Sequence, residues 1–281
     1  MNDKLFIGMQ HLLPQHTLTS IVYSLTRNRT PFVKNALISA FVRHFKPDMG
    51  EAAEPNALAY ASFNEFFTRP LRADARPVDP DPTVLVSPVD GTISQIGTLR
   101  DSSLLQAKGI YYSVDALLAG RREQVSLFAN GLFATLYLAP FNYHRIHMPL
   151  TGSLRAAWYV PGDLFSVNAT TAASVAGLFA RNERVVCLFE NGPLTFGLVL
   201  VGALFVGSME TVWHGQITPR RPRTACELPA HPAPLQRGLE MGRFNMGSTV
   251  ILLLPQAAAC WLQGFEAGST IRVGQALARL T

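Results

Sequence analysis

Closely spaced cysteine pairs are absent from this 281-residue sequence. Its three cysteines, Cys187, Cys226 and Cys260, are far apart and form no C-x-x-C motif. An odd, scattered set predicts neither a disulfide framework nor a structural zinc site, and it is typical of proteins in a reducing compartment.

Long apolar segments and a signal peptide are missing as well. The longest uncharged apolar stretch, about Leu194 to Met209, contains three glycines and falls short of the roughly 20 residues of a membrane-spanning helix. The N-terminus has an early acid and Pro14 instead of an uninterrupted apolar core with a small-residue cleavage site. We therefore expect neither a transmembrane segment nor a signal peptide.

Charged residues are few, at 15% of the chain, whereas 48% of the residues are apolar. This composition predicts a globular protein, long enough for one large domain with an extension or for two small domains. The formal net charge of +5 is confined to residues 1–46, because the remainder contains 18 cations and 18 acids. The six cations of this segment, set against the single acid Asp3, are Lys4, Arg27, Arg29, Lys34, Arg43 and Lys46.

The same N-terminal segment has the pattern of short helices. Lys4–Leu13 and Leu18–Thr26 are separated by Pro14, and a third helix is predicted to begin with Thr30 as N-cap and Pro31 in its first turn. One face of the third helix is apolar and the other is polar and basic. This amphipathic pattern fits either docking on an anionic membrane or packing on the domain core. The apolar face consists of Leu37, Ile38, Phe41, Val42 and Phe45.

From about residue 84 onward, short apolar runs alternate with Gly, Pro and Asp, which predicts a β-rich core. Two short helices are expected within it, at Ser113–Leu118 and Ala169–Phe179. Residues 219–234 hold five prolines and three arginines and are predicted to form a mobile loop. The fold class is therefore predicted to be α+β, a β-rich core with amphipathic N-terminal helices. The predicted strands are Val84–Val86, Gly91–Ile96, Phe133–Leu138, Ser153–Tyr159, Val185–Phe189, Thr195–Val206 and Thr249–Leu254.

The pair Gly247-Ser248 opens directly into an apolar, β-branched run. Because Gly247 has no Cβ, the backbone can adopt a turn that brings the Ser248 hydroxyl against the Gly247 carbonyl carbon. Attack there would convert the amide to an ester and begin self-cleavage, provided that a base and an orienting acid activate the weak serine nucleophile. The G-x-S-x-G motif of α/β hydrolases is absent, since Met246 and Val250 occupy the glycine positions. A plain Gly-Ser-Thr turn is the structural alternative.

Two histidines and one aspartate are candidates for these roles. His144 and His147 lie in Tyr143–Pro149, which is predicted to be a loop. A metal site is disfavoured, because the sequence offers no apparent third ligand. A buried, hydrogen-bonded histidine without a catalytic role is the alternative. Asp90 precedes Gly91 and could orient a histidine, although an Asp-Gly pair between apolar runs is also an ordinary hairpin turn. Spacing alone does not decide between these interpretations.

Six motifs follow one another along nearly the whole chain. They are F-N-E-F-F-x-R-P-L-R at 63–72, V-D-G at 89–91, Y-H-R-I-H-M-P at 143–149, P-G-D-L-F-S-V-N at 161–168, A-R-N-E-R at 180–184 and G-R-F-N-M-G-S-T at 242–249. Together they resemble phosphatidylserine decarboxylase of the bacterial type. The resemblance implies a proenzyme that cleaves itself between Gly247 and Ser248 into chains 1–247 and 248–281. These chains would stay together as a heterodimer, which can also form a higher homo-oligomer.

The resemblance also implies residue roles. Asp90, His147 and Ser248 would form the charge-relay set, in which Asp90 holds His147 and His147 deprotonates Ser248. Ser248 would then become the cofactor, a pyruvoyl group that forms a Schiff base with phosphatidylserine and releases CO2 and phosphatidylethanolamine. His144 is a candidate for substrate contact or proton delivery. Close relatives often have an acid where this chain has Asn142, and if that acid assists His147, processing here would depend more heavily on Asp90.

A lipid substrate implies a face that docks on a bilayer. We expect residues 1–50 to be a helical membrane-docking segment and residues 51–281 to be the β-rich catalytic domain, peripheral at the cytoplasmic face of the bacterial inner membrane. The expected partner is an anionic membrane surface, and we expect no binding of nucleic acid. The alternatives are a Ser-His-Asp hydrolase that forms no pyruvoyl group and a non-catalytic lipid-binding relative.

Overall fold

A computed structural model describes residues 3–204, 208–218, 224–229 and 233–281 of the chain. Within these residues the fold is α+β and rich in strands, with the long helices at the N-terminus, which confirms the predicted fold class. The helices are α1 (Asp3–Leu12), α2 (Gln15–Thr26), α3 (Pro31–Phe45), α4 (Phe63–Phe67), α5 (Val114–Leu117), α6 (Arg122–Leu127), α7 (Ala169–Ala172) and α8 (Leu178–Arg181), with a 3₁₀ turn at Ala57–Ala59.

The N-terminal helices begin and end close to the predicted residues. Pro14 separates α1 from α2, and α3 has Thr30 at its N-cap and Pro31 in its first turn. Proline suits that position because its fixed φ is already helical and its missing N–H has no partner in the first turn. None of the described helices is long and apolar enough to cross a membrane.

The apolar face of α3 packs inward. Ile38 is fully buried, and Leu37, Phe41 and Val42 pack against the same cluster. The other side of the cluster comes from α4 and the segment before it. The face identified from the sequence therefore covers the protein core, which is the second of its two predicted environments. The buried partners are Tyr60, Phe63, Phe66 and Phe67.

The strands form one large sheet, two smaller sheets and a hairpin, and all the strand pairs are antiparallel. The strands are β1 (Val84–Val86), β2 (Gly91–Thr98), β3 (Ser103–Ala107), β4 (Ile110–Ser113), β5 (Leu132–Leu138), β6 (Arg145–His147), β7 (Ser153–Val160), β8 (Arg184–Asn191), β9 (Leu194–Val201), β10 (Met209–Thr211), β11 (Gly215–Gln216), β12 (Cys226–Glu227), β13 (Glu240–Phe244), β14 (Ser248–Leu254), β15 (Ala259–Trp261), β16 (Thr270–Ile271) and β17 (Ala276–Leu280).

The large sheet has eight strands in the order β12-β7-β8-β9-β14-β5-β2-β16. β14 lies between β9 and β5, and every residue of this strand is buried. A continuous Val-Ile-Leu run suits a strand whose two faces are both covered. The smaller sheets have the orders β11-β10-β13-β6 and β1-β17-β15, and β3 pairs with β4.

Of the two helices predicted within the β-rich region, one is confirmed with shorter bounds and the other is wrong. The helix predicted over Ser113–Leu118 spans only Val114–Leu117, because Ser113 ends β4 and caps α5 with its hydroxyl. The single helix predicted over Ala169–Phe179 is wrong. This segment forms α7 and the start of α8, and the left-handed backbone of Gly177, with φ of 66°, separates them.

Several segments also differ from their predicted class or length. The strand predicted over Thr195–Val206 ends at Val201, and residues 205–207 lie outside the described residues. Arg145–His147 was predicted as loop and is β6, whose three residues are too few to show an alternating pattern. The loop predicted over 219–234 contains β12, whereas residues 219–223 and 230–232 lie outside the described residues.

Candidate active site

Ser248 and Asp90 lie at one end of the large sheet. Ser248 opens β14 and pairs with Leu138, the last residue of β5. Gly202 adjoins Ser248 on the other side, because Thr249 pairs with Val201. β2 begins at this same end, since Thr92 pairs with Tyr137, and Asp90 directly precedes that strand. Asp90 and Ser248 thus lie at the same end of the large sheet, with β5 between β14 and β2.

The Ser248 hydroxyl is buried without a partner. The residue has no exposed surface, and its Oγ makes no hydrogen bond to any described residue. Burying a hydroxyl without a hydrogen bond is unfavourable, so such an atom in a folded protein calls for an explanation. One explanation is that the Ser248 hydroxyl is a nucleophile positioned for reaction.

His144 lies beside the bond that precedes Ser248. A Cβ placed on Gly247 would be 3.4 Å from His144 Nε2 and 3.4 Å from the Leu138 carbonyl oxygen. The imidazole is fully buried, and its ring centroid lies 4.1 Å from that of Phe67. His144 Nε2 has no hydrogen-bond partner among the described residues. The chain therefore holds an unoccupied ring nitrogen next to the Gly247-Ser248 bond.

The backbone at Asn142 sets the tautomer of His144. His144 Nδ1 lies 2.8 Å from the Asn142 carbonyl oxygen, which can only accept, so the proton is on Nδ1 and Nε2 carries a lone pair. Burial lowers the pKa of His144 to about 3, which keeps the ring neutral near pH 7. His144 is accordingly a neutral base whose free lone pair lies near Gly247.

Asn142 itself closes the turn that follows β5. Its Oδ1 accepts a hydrogen bond of 2.8 Å from the Ala139 N–H, and its own N–H donates to the Ala139 carbonyl oxygen at 2.9 Å. The side chain thereby fixes the carbonyl that orients His144. An amide oxygen serves this purpose as well as a carboxylate would, which gives Asn142 a structural role at the site.

Both ring nitrogens of His147 are occupied. Nδ1 donates to the Gly238 carbonyl oxygen at 2.7 Å, and Nε2 accepts from the Tyr143 hydroxyl at 3.0 Å. Burial lowers the pKa of His147 and favours its neutral form. For His147 to take a proton from Ser248, the Tyr143 hydroxyl must first leave Nε2 or relay the proton.

Asp90 is held by an arginine. The Nε of Arg76 donates to both carboxylate oxygens of Asp90, at 2.9 and 3.0 Å, and the Val273 N–H donates to Oδ1 at 2.9 Å. Arg76 also pairs with Glu51 at 2.7 Å. This buried network fixes the carboxylate, and the glycine after it is required sterically, because a Cβ on Gly91 would collide with the Tyr137 carbonyl oxygen.

The structure therefore places Asp90 and Ser248 at one end of the large sheet and His147 in β6 of a smaller sheet, without a hydrogen bond between any two of these residues. Their roles stay predictions. Sequence reasoning missed Arg76 and the contact of Tyr143 with His147. Tyr143 lies in the same motif as His147 and could have been considered, whereas nothing in the sequence links Arg76 to Asp90.

Two apolar cavities adjoin Met246, immediately before the Gly-Ser pair. One has a volume of about 280 Å³ and is lined by Phe41 and Phe45 of α3 and by Gly247 itself. The other, of about 260 Å³, lies between α2, α3 and α4. The N-terminal helices consequently form walls of the space beside residue 248.

Comparisons with known proteins agree over the whole length. A family model described as phosphatidylserine decarboxylase matches residues 63–279, and a second, described as PSD, matches residues 5–46. The phosphatidylserine decarboxylase proenzyme of Azotobacter vinelandii is 48% identical, covering 99% of this chain and 98% of its own length. The proenzymes of the same name from Bordetella avium and Acidovorax ebreus are 47% and 49% identical, each over 99% of this chain and over 95% and 98% of their own lengths.

Proposed function

Because this chain belongs to the phosphatidylserine decarboxylase family, we propose that it converts phosphatidylserine to phosphatidylethanolamine and CO2 after cleaving itself between Gly247 and Ser248. The observation that supports this most directly is the buried Ser248 hydroxyl without a partner, preceded by a glycine that contacts a neutral histidine. The proenzyme name of the relatives agrees with cleavage.

Self-cleavage begins when Ser248 Oγ attacks the Gly247 carbonyl carbon. The C–N bond breaks, the Ser248 nitrogen takes up a proton, and an ester joins the two residues. Loss of the Ser248 α-proton then expels the ester oxygen, so that Gly247 leaves as a carboxylate and residue 248 becomes dehydroalanine. Hydrolysis of dehydroalanine releases ammonia and leaves a pyruvoyl group at the new N-terminus.

Within this scheme Asp90 and His147 belong to self-cleavage. Asp90 is fixed by Arg76 and can stabilise positive charge at this end of the sheet, while His147 accepts the Ser248 proton after exchange of its bond to Tyr143. Removal of the proton by a base is required because a serine hydroxyl is a weak nucleophile.

The residues at this site fit a pyruvoyl group at position 248. The position is buried, an apolar cavity borders the preceding Gly247, and the Ser248 hydroxyl makes no hydrogen bond to any described residue. When formed, the group supplies a ketone that accepts the substrate amine and withdraws the electrons left by CO2. His144 Nε2 contacts the space that Gly247 occupies before cleavage, and we assign His144 to contact with the substrate and to delivery of a proton there.

We also propose that residues 1–50 dock on an anionic membrane surface, at the cytoplasmic face of the inner membrane, while residues 51–281 form the catalytic domain. Leu12 and Phe32 are 87% and 85% exposed, although such side chains usually avoid water. Phe32 lies in α3, which contains Lys34 and Arg43 and lines both cavities beside Met246. A lipid can therefore pass from the bilayer to residue 248 along apolar surface.

Intact mass spectrometry of the denatured protein tests self-cleavage. We expect two chains, 1–247 and 248–281, with the smaller one beginning in a pyruvoyl group and reacting with a carbonyl reagent. Ser248→Ala should yield one uncut chain. CO2 release from phosphatidylserine by the wild type and not by Ser248→Ala then tests the second reaction.

The two rival functions give different results. A hydrolase with the same residues would stay uncut and would be labelled at Ser248 by a phosphonate. A lipid-binding relative would stay uncut, bind vesicles and release no CO2. An uncut wild-type chain under conditions that support folding would refute the self-cleavage mechanism.

A further inference from the structure

Arg69 is a buried cation with unused donors. It follows α4, is 3% exposed, and donates through Nη2 to the Phe141 carbonyl oxygen at 3.3 Å. Its Nε and Nη1 make no hydrogen bond within the described part of the chain. Burial without a carboxylate partner lowers the pKa of Arg69, a sign that the protein itself does not compensate the charge.

Arg69 lines a polar cavity of about 400 Å³. The other arginines of this cavity are already paired, since Arg76 binds Asp90 and Glu51, and Arg272 binds Glu51. Lys46, at the end of α3, contributes a second, exposed cation to the lining. Among the described residues that line the cavity, Arg69 is thus a buried guanidinium available to an anion from outside the protein.

The cavity is joined to the catalytic residues through a few contacts. Phe67, two residues before Arg69, packs on the ring of His144, and Phe141, which accepts from Arg69, belongs to the turn that orients His144. Asp90 and Tyr143 also line the cavity. An anion at Arg69 therefore lies on the polar side of the same turn whose other side, at Leu138 and Pro140, borders the apolar cavity beside Gly247.

We propose that Arg69, with Lys46 at the rim, binds the phosphodiester of the lipid head group. This assignment rests on the proposed function and deepens it, because it names the part of the substrate that is recognised. In phosphatidylserine only a methylene and an oxygen separate the serine α-carbon from the phosphorus, so the phosphate must bind close to residue 248. A phosphate oxygen at Nε or at Nη1 would satisfy a donor that has no partner among the described residues, through a charge-assisted hydrogen bond.

The substrate carboxylate is the other anion that could pair with Arg69, and energetics disfavour it. A guanidinium on the carboxylate would stabilise the charge that must vanish as CO2 leaves, which raises the barrier. Contact with the phosphodiester is equal before and during decarboxylation. Its loss should therefore raise KM and leave kcat nearly unchanged.

Binding to uncut protein tests this site without the cofactor. In Ser248→Ala protein, isothermal titration calorimetry would compare two probes. Glycerophosphoethanolamine has the phosphodiester and no carboxylate, whereas free serine has the carboxylate and no phosphodiester. Arg69→Gln should weaken binding of glycerophosphoethanolamine about 10- to 100-fold, as expected for charge-assisted hydrogen bonds. Arg69→Lys should restore part of it. The exposed Arg72→Gln should leave it unchanged, and thermal melting would verify the fold of each variant.

Kinetics of the cleaved enzyme supply the second readout. We expect Arg69→Gln to raise KM for phosphatidylserine about tenfold or more while kcat changes by less than about threefold. Unaltered binding of glycerophosphoethanolamine, weakened binding of serine alone, or loss of kcat at constant KM would each overturn the phosphodiester assignment. Absence of CO2 release by the wild type would instead refute the proposed function, and the calorimetric comparison would still judge the anion site.

Discussion

At the scale of single residues, the two histidines differ most in the state of their Nε2 atoms. His147 Nε2 is occupied by the Tyr143 hydroxyl, whereas His144 Nε2 is free and close to Gly247. We expect His147→Gln to accumulate the uncut chain. His144→Gln should be cut and should release CO2 at least about 100-fold more slowly, the usual loss when an acid-base group is removed. Denaturing gels and CO2 release measured on the same samples separate the two effects.

The reverse pattern would contradict this division. If His144→Gln stayed uncut and His147→Gln were cut, the free Nε2 of His144 would be the base for Ser248. Tyr143→Phe is the matched control, because it removes only the hydroxyl that occupies His147 Nε2. Under the proposed division it should not slow self-cleavage, since it frees that nitrogen.

Glu183 is a buried acid at the same end of the large sheet as Ser248. It is 2% exposed, accepts from the Tyr159 hydroxyl at 3.1 Å, and pairs through its backbone with Gly202, the neighbour of Ser248 across the sheet. Its carboxyl lies over Gly202, where a Cβ would be 3.4 Å from Oε1. Burial raises the pKa of Glu183 to about 7, from an ordinary value of 4.5.

This shift predicts how stability changes with pH. Between pH 4.5 and 7 the unfolded chain loses the Glu183 proton and the folded chain keeps it, so the free energy of unfolding falls as pH rises and levels off above 7. The loss relative to Glu183→Gln should reach at most about 3 kcal/mol. Urea titrations from pH 4.5 to 8.5 in Ser248→Ala protein measure it, with the exposed Glu190→Gln as control. A stability difference between Ser248→Ala protein with and without Glu183→Gln that does not vary with pH would show that the carboxyl ionises normally.

At the scale of elements, the N-terminal helices carry apolar side chains that the fold leaves exposed. Leu12 ends α1, and Phe32 lies in the first turn of α3. Because a Leu or Phe side chain gains about 1.5–3 kcal/mol on full burial, Leu12→Asp with Phe32→Asp should weaken binding to phosphatidylserine-containing vesicles at least about tenfold. Sedimentation at low and high salt measures the apolar and electrostatic parts separately.

A matched variant tests whether the location matters. Tyr111 is 49% exposed on β4 and lies outside the cationic N-terminal segment of the sequence, so Tyr111→Asp should leave vesicle binding unchanged. Equal binding by the wild type and the double variant would show that these helices do not insert into the bilayer.

The same elements show what the sequence could predict. α3 was predictable because its N-cap, proline and apolar periodicity are local signals, and β14 because its apolar run is continuous. The environment of the apolar face of α3 was not predictable. Periodicity identifies which face is buried, but it does not identify the element that packs against that face, here α4. β6 and β10 to β13 are two to five residues long and depend on pairing between distant segments.

The candidate site divides in a similar way. Gly247, Ser248 and the histidines stand in motifs, so their identity could be read from the sequence. The ion pair of Arg76 with Asp90 arises only from folding, because no residue spacing encodes it, whereas the contact of Tyr143 with His147 lies within one motif and could have been considered. The two Arg69 donors that lack a partner, Nε and Nη1, could not be predicted either, since the absence of a partner is a property of the whole environment.

At the scale of the whole molecule, cleavage after Gly247 would leave a small chain whose strands pair with strands of the large chain. β14 pairs with β5 and β9, β16 pairs with β2, and β17 pairs with β1, so each of these strands of residues 248–281 binds a strand of residues 1–247. The buried Val250–Leu254 run would be exposed to water if the chains separated. We therefore expect the cut protein to migrate as one species under native conditions and as two in denaturant.

Cleavage should also make stability depend on concentration. Unfolding of the cut protein releases two chains, so dilution favours the unfolded state, whereas the uncut Ser248→Ala chain unfolds without dissociation. A 100-fold dilution should lower the apparent stability of the cut protein by about 2.7 kcal/mol and leave that of Ser248→Ala unchanged. Denaturation midpoints measured at both concentrations test this. A midpoint of the cut protein that does not move would mean that the chains remain bound after unfolding, in conflict with an association that depends on folded strand pairing.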